Sequence, residues 1–369
     1  PPRPTRLNCR RQRQMCIRDR FWVADMDFPS PPAVVEALRA RAEHSVYGYS
    51  VVPASLTQAI VEYLDTRYAW RIDPEWLVWL PSLVTGITLS CMAEGEPGDE
   101  VITVTPAYPP FLTMPVRAGR RVLSVPAVCG DGRWRLPLQA MEQAVTPATR
   151  VLLFCHPHNP LGRMWEGDEL AAVVDFCRRH GLTLCSDEIH CDLLLDPGVH
   201  VPAALLADQA RDSIITLMSP SKTYNLPGLN FAFAVIPNPS LRSRFENAGK
   251  GLLPSPGCFA VAGAEAAYRG GEEWLRELLD YLRGNRDLVE QFVREALPRV
   301  SMLHVEATYL AWLDVGRLGL ADPLRACLDA GVAPSAGSTF GDPAYLRLNF
   351  GCPRPLLQEG LRRMARALG

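Results

Sequence analysis

Of the 38 basic residues in this 369-residue chain, 36 are arginine, and only Lys222 and Lys250 carry an amine. Any chemistry that needs a lysine therefore has two candidates. Lys222 lies in Ser219-Pro220-Ser221-Lys222-Thr223, directly after the strand-length apolar run 214–218. Two comparable run ends lie upstream. His156-Pro157-His158-Asn159-Pro160-Leu161-Gly162-Arg163 follows 151–155, and Ser186-Asp187-Glu188-Ile189-His190 follows 182–185. Ligands of an open parallel sheet bind beyond the carboxyl ends of its strands, so the topology would gather an amide, a carboxylate and a rare lysine. A lysine amine can form a Schiff base with an aldehyde cofactor, and a carboxylate can keep a pyridine nitrogen protonated so that the ring accepts electrons. Serine hydroxyls can hold a phosphate. Pyridoxal 5'-phosphate requires all three. Lys250 sits between two glycines with no strand end before it and reads as a surface residue.

The elements that must position these residues are legible as texture. Ser30 can cap a helix whose first turn holds Pro31 and Pro32 and whose apolar face is Val34, Val35, Leu38 and Ala42; a second helical stretch runs from Pro53 to about Trp70. The runs 101–105, 121–125, 151–155, 182–185, 214–218 and 231–236 are apolar on both faces and bounded by Pro, Gly or Asp. That is the pattern of a buried, mainly parallel sheet with crossover helices, an α/β fold. Beyond about Ser255 the chain turns to long helices, with Trp274, Leu275, Leu278, Leu282, Val289, Phe292, Val293 and Leu297 at helical spacing. A smaller α+β domain follows, with 309–314 and 345–350 as strands.

Composition narrows the function classes. A chain of this length with 48% hydrophobic residues exceeds one compact core and predicts two lobes. A net charge of −2 provides no general basic field for nucleic acid or an anionic membrane. No apolar run reaches the roughly 18 residues that span a bilayer. The eleven cysteines form no CxxC pair, which fits a reducing cytoplasm. Residues 1–20 are an atypical basic leader without hydrophobic period, expected to be disordered or non-native. After it we expect an N-terminal segment, 21–45, packed on the small domain, a large cofactor-binding domain, 46–255, and a small C-terminal domain, 256–369.

Nine segments then carry a family resemblance: WVADMDF (22–28), VYGY (46–49), TPAYPPF (105–111), HPHNPLGR (156–163), SDEIHCDL (186–193), SPSKTYNLPGL (219–229), GEEWLREL (271–278), TYLAWLD (308–314) and RLNFGCPR (347–354). In this order they resemble the fold type I pyridoxal-phosphate enzymes of the aminotransferase class I/II superfamily, and within it the cystathionine β-lyase-like C–S lyases. The resemblance implies a seven-stranded sheet in the large domain and a small domain built from the chain ends. It implies that Lys222 bonds the cofactor and then moves the substrate Cα proton, that Asp187 pairs with the ring nitrogen, and that Asn159 and His190 reach the phenolic oxygen. Tyr108 would stack on the ring. Ser219 and the backbone at Leu83 and Val84, opening a helix over 84–92, would hold the phosphate, since a helix N-terminus suits an anion. Tyr49 would reach that phosphate from a second subunit of a homodimer, and Arg347 would fork onto the substrate α-carboxylate. Two positions depart from the pattern: Asn230 stands where the wider superfamily has an arginine for the phosphate, and Ser82 where this branch has glycine.

Other readings compete at several positions. Asp187 could cap a helix, Tyr108 could be core, and Arg347 could make a structural ion pair. Trp22 and Asp25 read equally as the substrate entrance or as a structural turn. His156, His158 and His200 could suggest a metal, but Pro157 separates the first two and no carboxylate cluster accompanies them, so local hydrogen bonding is the better reading. The expected reaction is α,β-elimination of cystathionine or a related sulfur-containing L-amino acid to thiol, pyruvate and ammonia. The alternative is transfer of the amino group to a 2-oxo acid. A DNA-contacting regulator would need a helix-turn-helix domain, which a twenty-residue leader cannot supply.

Overall fold

The computed structural model describes residues 19–206 and 213–369. Most of the basic leader, residues 1–18, lies outside the described residues. The first strand begins at Asp19, two residues inside the segment expected to be leader.

The strands are β1 (Asp19–Phe21), β2 (Leu77–Leu80), β3 (Glu100–Thr105), β4 (Arg121–Pro126), β5 (Val128–Gly130), β6 (Arg133–Arg135), β7 (Thr149–Cys155), β8 (Thr183–Asp187), β9 (Ile214–Met218), β10 (Ala232–Val235), β11 (Leu310–Asp314), β12 (Val332–Ala336) and β13 (Tyr345–Asn349). Seven of them form the large sheet, in the order β2-β10-β9-β8-β7-β3-β4. From β4 through β9 every pairing is parallel. The expected α/β architecture with a mainly parallel seven-stranded sheet is what the chain adopts.

The 231–236 run departs from the parallel expectation, because β10 runs against β9 and β2 against β10. The connection from β9 explains the reversal. It holds one short helix, Pro220–Thr223, and a 3-10 turn, Pro227–Leu229, which is too little to carry a crossover back to the start of the sheet.

Alternation along the central strands builds two cores. Leu152, Phe154 and Leu184 face one side, with Leu56, Ile60 and Leu64 of the helix Ala54–Tyr68. Val151, Leu153 and Cys185 face the other, with Leu83 and Ile87 of the helix Leu83–Ala93. Burial on both faces is why these strands read as continuous apolar runs.

A second sheet, β1-β12-β13-β11, packs with the long helix Glu272–Ala296. Leu275, Leu278, Leu282, Val289 and Val293 of that helix share a core with Leu310, Leu313, Leu346 and Leu348, and Phe21, Met26 and Val34 from the other end of the chain join it. Phe21 is locked there: a Cβ on Gly360 would stand 2.4 Å from its ring.

Ser30 does not cap the first helix. Pro31 occupies that position before Pro32–Glu43, while Ser30 Oγ donates to the Asn225 carbonyl at 3.0 Å. A hydroxyl that spans 195 residues to the loop after Lys222 cannot also serve its own helix.

Candidate active site

Strand alternation decides which side chains face the ligand edge. Cys155 and Asp187, aligned partners at the carboxyl ends of β7 and β8, both line a cavity of about 870 Å3. The loops beyond β3, β7, β8 and β9 bring Tyr108, Asn159, His190 and Lys222 to the same cavity, the helix Leu83–Ala93 brings Leu83, and the second sheet brings Arg347 on β13. Trp22, Val23 and Ala24 form part of its wall.

Asp187 is buried, and its carboxylate accepts a backbone hydrogen bond from Ile189 N at 3.1 Å. Burial pushes it up to about 7, with the neighbouring Glu188 adding to the rise and Lys222 opposing it. Burial in turn pulls the Lys222 amine down to about 8, and Arg347 pushes the same way against the attraction of Asp25 and Asp187. The amine donates to the Ala24 carbonyl. The His190 imidazole is held neutral, at about 3, by burial and then by Lys222 and Arg347.

Arg347 is buried and held in a fixed fork. Nη1 donates to Asn159 Oδ1 at 2.9 Å, and Nη2 donates to the Trp22 carbonyl at 2.6 Å and to Ser335 Oγ at 3.4 Å. Its Nε has no partner among the described residues, and its guanidinium lies over the Phe340 ring, 4.6 Å from the centroid. Among the described residues no carboxylate forms an ion pair with it, which sets aside the structural ion pair.

Residues 22–28 cross the site as a strap whose carbonyls are claimed one by one. Asn349 Nδ2 donates to the carbonyls of Val23 and Asp25, Tyr309 OH to that of Ala24 at 2.9 Å, and Asn225 Nδ2 to those of Met26 and Phe28 at 2.8 Å each. The sequence reading missed Asn225, Tyr309 and Asn349. All three lie inside the family-like segments, but a side chain that binds backbone some 200 to 300 residues away leaves no local signal.

The phosphate candidates separate. The helix starts at Leu83, one residue before the expected 84, and Ser82 caps it by accepting from Thr85 N at 3.2 Å. A first helical turn directs its leading amides, here those of Leu83 and Val84, outward as anion donors. Serine at 82 thus caps the helix in place of the expected glycine. Ser219 caps the lysine helix by accepting from Ser221 N at 3.1 Å and donates to the Phe231 carbonyl at 2.6 Å. Asn230 adopts φ 57°, ending the 3-10 turn. Leu83 lines the cavity, whereas Val84, Ser219, Tyr49 and Asp25 are not among its lining residues. Asp25 and Tyr49 are exposed.

Of the three histidines expected to hydrogen-bond locally, His158 and His200 do so, whereas the His156 ring stacks on His200 with centroids 4.5 Å apart and its ring nitrogens have no hydrogen-bond partner among the described residues. His158 Nε2 meets the Pro106 carbonyl at 2.9 Å, and His200 Nε2 meets Glu188 Oε2 at 2.7 Å. Lys250 is exposed, just past the helix Pro239–Gly249.

A sequence model of the aminotransferase class I and II family matches residues 21–364. The chain belongs to that family. Among its family relatives, cystathionine beta-lyase PatB of Bacillus subtilis (strain 168) is 36% identical over 355 residues, covering 94% of this chain and 92% of the relative. The crystal structure of OvoB superposes with a TM-score of 0.94 at 44% identity, covering 98% of this chain and 96% of that one. Cystalysin of Treponema denticola, whose crystal structure contains a pyridoxal 5'-phosphate cofactor, superposes at 0.91 and 28% identity, covering 94% and 90%.

Proposed function

We propose that this family member is a pyridoxal 5'-phosphate-dependent C–S β-lyase that eliminates thiol from cystathionine or a related sulfur-containing L-amino acid, leaving pyruvate and ammonia. One observation carries the reading: a buried carboxylate, a half-buried lysine with a depressed pKa and an arginine without a carboxylate partner converge on one cavity. The residues fit the cofactor. Asp187, raised to about 7 with one backbone donor, is suited to a further N–H from a pyridinium. The helix opening at Leu83 and Val84 suits a phosphate, and the face of Tyr108 suits the ring. Two relatives named as cystathionine beta-lyases, at 36% and 31% identity, support the lyase over the amino-transfer reading.

When bound, the cofactor supplies an electron-accepting ring that delocalises the Cα electron pair. The chain supplies the rest. Lys222, neutral above about pH 8, takes the proton from Cα. Asp187 holds the ring-nitrogen proton, and the free Nε edge of Arg347 orients the substrate α-carboxylate. Asn159, fixed by Arg347, hydrogen-bonds the phenolic oxygen, with neutral His190 beside it. As the Cα–H bond breaks, the Cα–Cβ double bond forms and the Cβ–S electron pair leaves on sulfur; hydrolysis of the remaining enamine gives pyruvate and ammonia. Trp22, on the cavity wall, stands at the substrate entrance, whereas Asp25 lies off that wall and acts on Lys222 through its charge.

We assign the cofactor-binding unit to 46–255 and the small unit to 256–369 with 21–45, since Phe21, Met26 and Val34 share the second core. The exposed apolar stretch Val46, Tyr47, Tyr49 and Val51 supports a homodimer in which Tyr49 reaches the other subunit's phosphate site. The scattered free cysteines support a cytoplasmic setting. Among the described residues no helix is long and apolar enough to cross a membrane.

The test uses purified protein with cofactor. Incubation with L-cystathionine should release pyruvate and thiol with no 2-oxo acid acceptor added; strict dependence on 2-oxoglutarate as acceptor establishes the aminotransferase instead. Lys222→Ala should lose the visible cofactor band and nearly all turnover. An active monomer in light scattering would rule out the shared site.

A further inference from the structure

The mechanism leaves a set of fully buried ionisable groups unused. Ser186 and Glu188 flank Asp187, and strand alternation sends their side chains to the sheet face opposite the cavity. There they bond to each other. Ser186 Oγ donates to Glu188 Oε1 at 2.8 Å, behind the residue between them. Ala203 N donates to the same oxygen at 3.0 Å, and His200 Nε2 meets Oε2 at 2.7 Å.

His200 is fixed in its turn. Its ring stacks on His156 with centroids 4.5 Å apart and meets Tyr68 edge-on at 5.4 Å. Both side chains of the Glu188–His200 pair have no exposed surface. Buried polar contacts of this kind add little to stability, and their best-attested use is to specify an arrangement.

The arrangement in question is the direction of Asp187. One hydrogen bond, from Ile189 N, holds its carboxylate in the cavity, so its aim depends on the backbone of 186–188. That backbone is pinned in the sheet by His156 N donating to the Asp187 carbonyl and Glu188 N to the Leu217 carbonyl, both at 2.9 Å. The side-chain bridge closes the remaining freedom from behind.

We propose that Ser186, Glu188 and His200 are positioning residues that clamp both flanks of Asp187 from behind the sheet and keep its carboxylate aimed at the cofactor's ring nitrogen. The inference rests on the cofactor reading above. Outer groups that orient a ligating side chain typically cost tenfold or more in affinity when removed.

The experiment reconstitutes the full chain, wild type and variants, with pyridoxal 5'-phosphate carrying 15N in the ring, and records the 15N resonance with the cofactor dissociation constant and thermal midpoint. The wild type should show a protonated ring nitrogen. Glu188→Leu, which fills the space without a carboxylate, should move the resonance toward neutral pyridine and weaken cofactor retention by about tenfold; Ser186→Ala should move both in the same direction by less. A role confined to folding would lower the thermal midpoint and leave the resonance of bound cofactor in place. Wild-type resonance and retention in the variants overturn the clamp, and Ser186→Ala alone decides if Glu188→Leu does not fold. Wild type that binds no labelled cofactor overturns the cofactor reading itself, a result distinct from either variant outcome.

Discussion

Arg347 Nη1 donates to Asn159 Oδ1 at 2.9 Å, joining β13 of the second sheet to the loop after β7 of the first. One contact thus links the group assigned to the substrate carboxylate with the group assigned to the cofactor's phenolic oxygen. Lysine cannot reproduce this, because the guanidinium satisfies Asn159, the Trp22 carbonyl and Ser335 while leaving Nε for the substrate.

Arg347→Lys should therefore raise KM for the amino acid and lower kcat/KM by about 100-fold, in the range expected when one partner of a buried charged contact is truncated. The visible cofactor band should persist, since Lys222 is untouched. Steady-state kinetics with L-cystathionine check this, and an unchanged KM would refute the carboxylate role.

The unliganded protein should carry an opposite pH signature from each of two desolvated site charges. Asp187 is raised from 3.8 to about 7, so the folded state binds a proton that the unfolded chain has released, and stability falls as pH rises through that window. Lys222 is lowered from 10.5 to about 8, so the folded state has released a proton that the unfolded chain keeps, and stability rises between those values. Urea midpoints measured across both windows should flatten between pH 4 and 7 in Asp187→Asn, and between pH 8 and 10.5 in Lys222→Met. Slopes equal to wild type in both variants would contradict the burial of these groups.

Asn225 combines a clip with a strained backbone. It binds the Met26 and Phe28 carbonyls and accepts from Met26 N at 3.1 Å while adopting φ 55°, which asparagine tolerates better than alanine. Asn225→Gly keeps the backbone easy and loses only the clip, so it should lower stability by about 1–3 kcal/mol and speed proteolysis within residues 22–28. Asn225→Ala should cost more. Equal protease resistance in wild type and Asn225→Gly would show that the strap is held elsewhere.

Glu306, four residues before β11, anchors the Asn159 loop. Its carboxylate receives Arg133 Nε at 2.6 Å and Arg163 Nη1 at 2.8 Å, and Arg163 is 3% exposed. Glu306→Ala should lower unfolding free energy by about 1–3 kcal/mol, because it removes one of the two carboxylates paired with the buried Arg163 guanidinium. Glu306→Gln should lose less, since it retains the shape and an acceptor. Denaturant unfolding decides, and a loss below about 1 kcal/mol in Glu306→Ala would show that Glu169, at 2.6 Å, suffices for Arg163.

The central strands were readable because burial on both faces leaves an unbroken apolar run, and β9 matches the expected 214–218 in full. Five strands escaped notice: β1, β5 and β6, of three residues each, are too short to show a period, and two longer ones read poorly as strands. β2 is only LVWL, four residues after the turn Pro74–Trp76, and β12 is VAPSA, whose proline and small residues argue against a strand. Both are held by neighbours distant in sequence, Val78 by Ala234 and Pro334 by Phe21.

The sequence by itself determined the chemistry, since a chain with two lysines places one in SPSKT after a strand, and asparagine and aspartate after two others. It also determined the family, through nine ordered segments. Only tertiary structure decided how those residues are used. Strand parity put Asp187 and Cys155 on the cavity side and Glu188 and Ser186 behind it, and burial moved the proton affinities of Asp187 and Lys222 toward each other. Contacts across 195 or more residues recruited Ser30, Asn225, Tyr309 and Asn349 to the strap. Residue type and local spacing carry chemical potential along the chain, whereas the desolvation and long-range hydrogen bonds that tune it exist only once distant segments pack together.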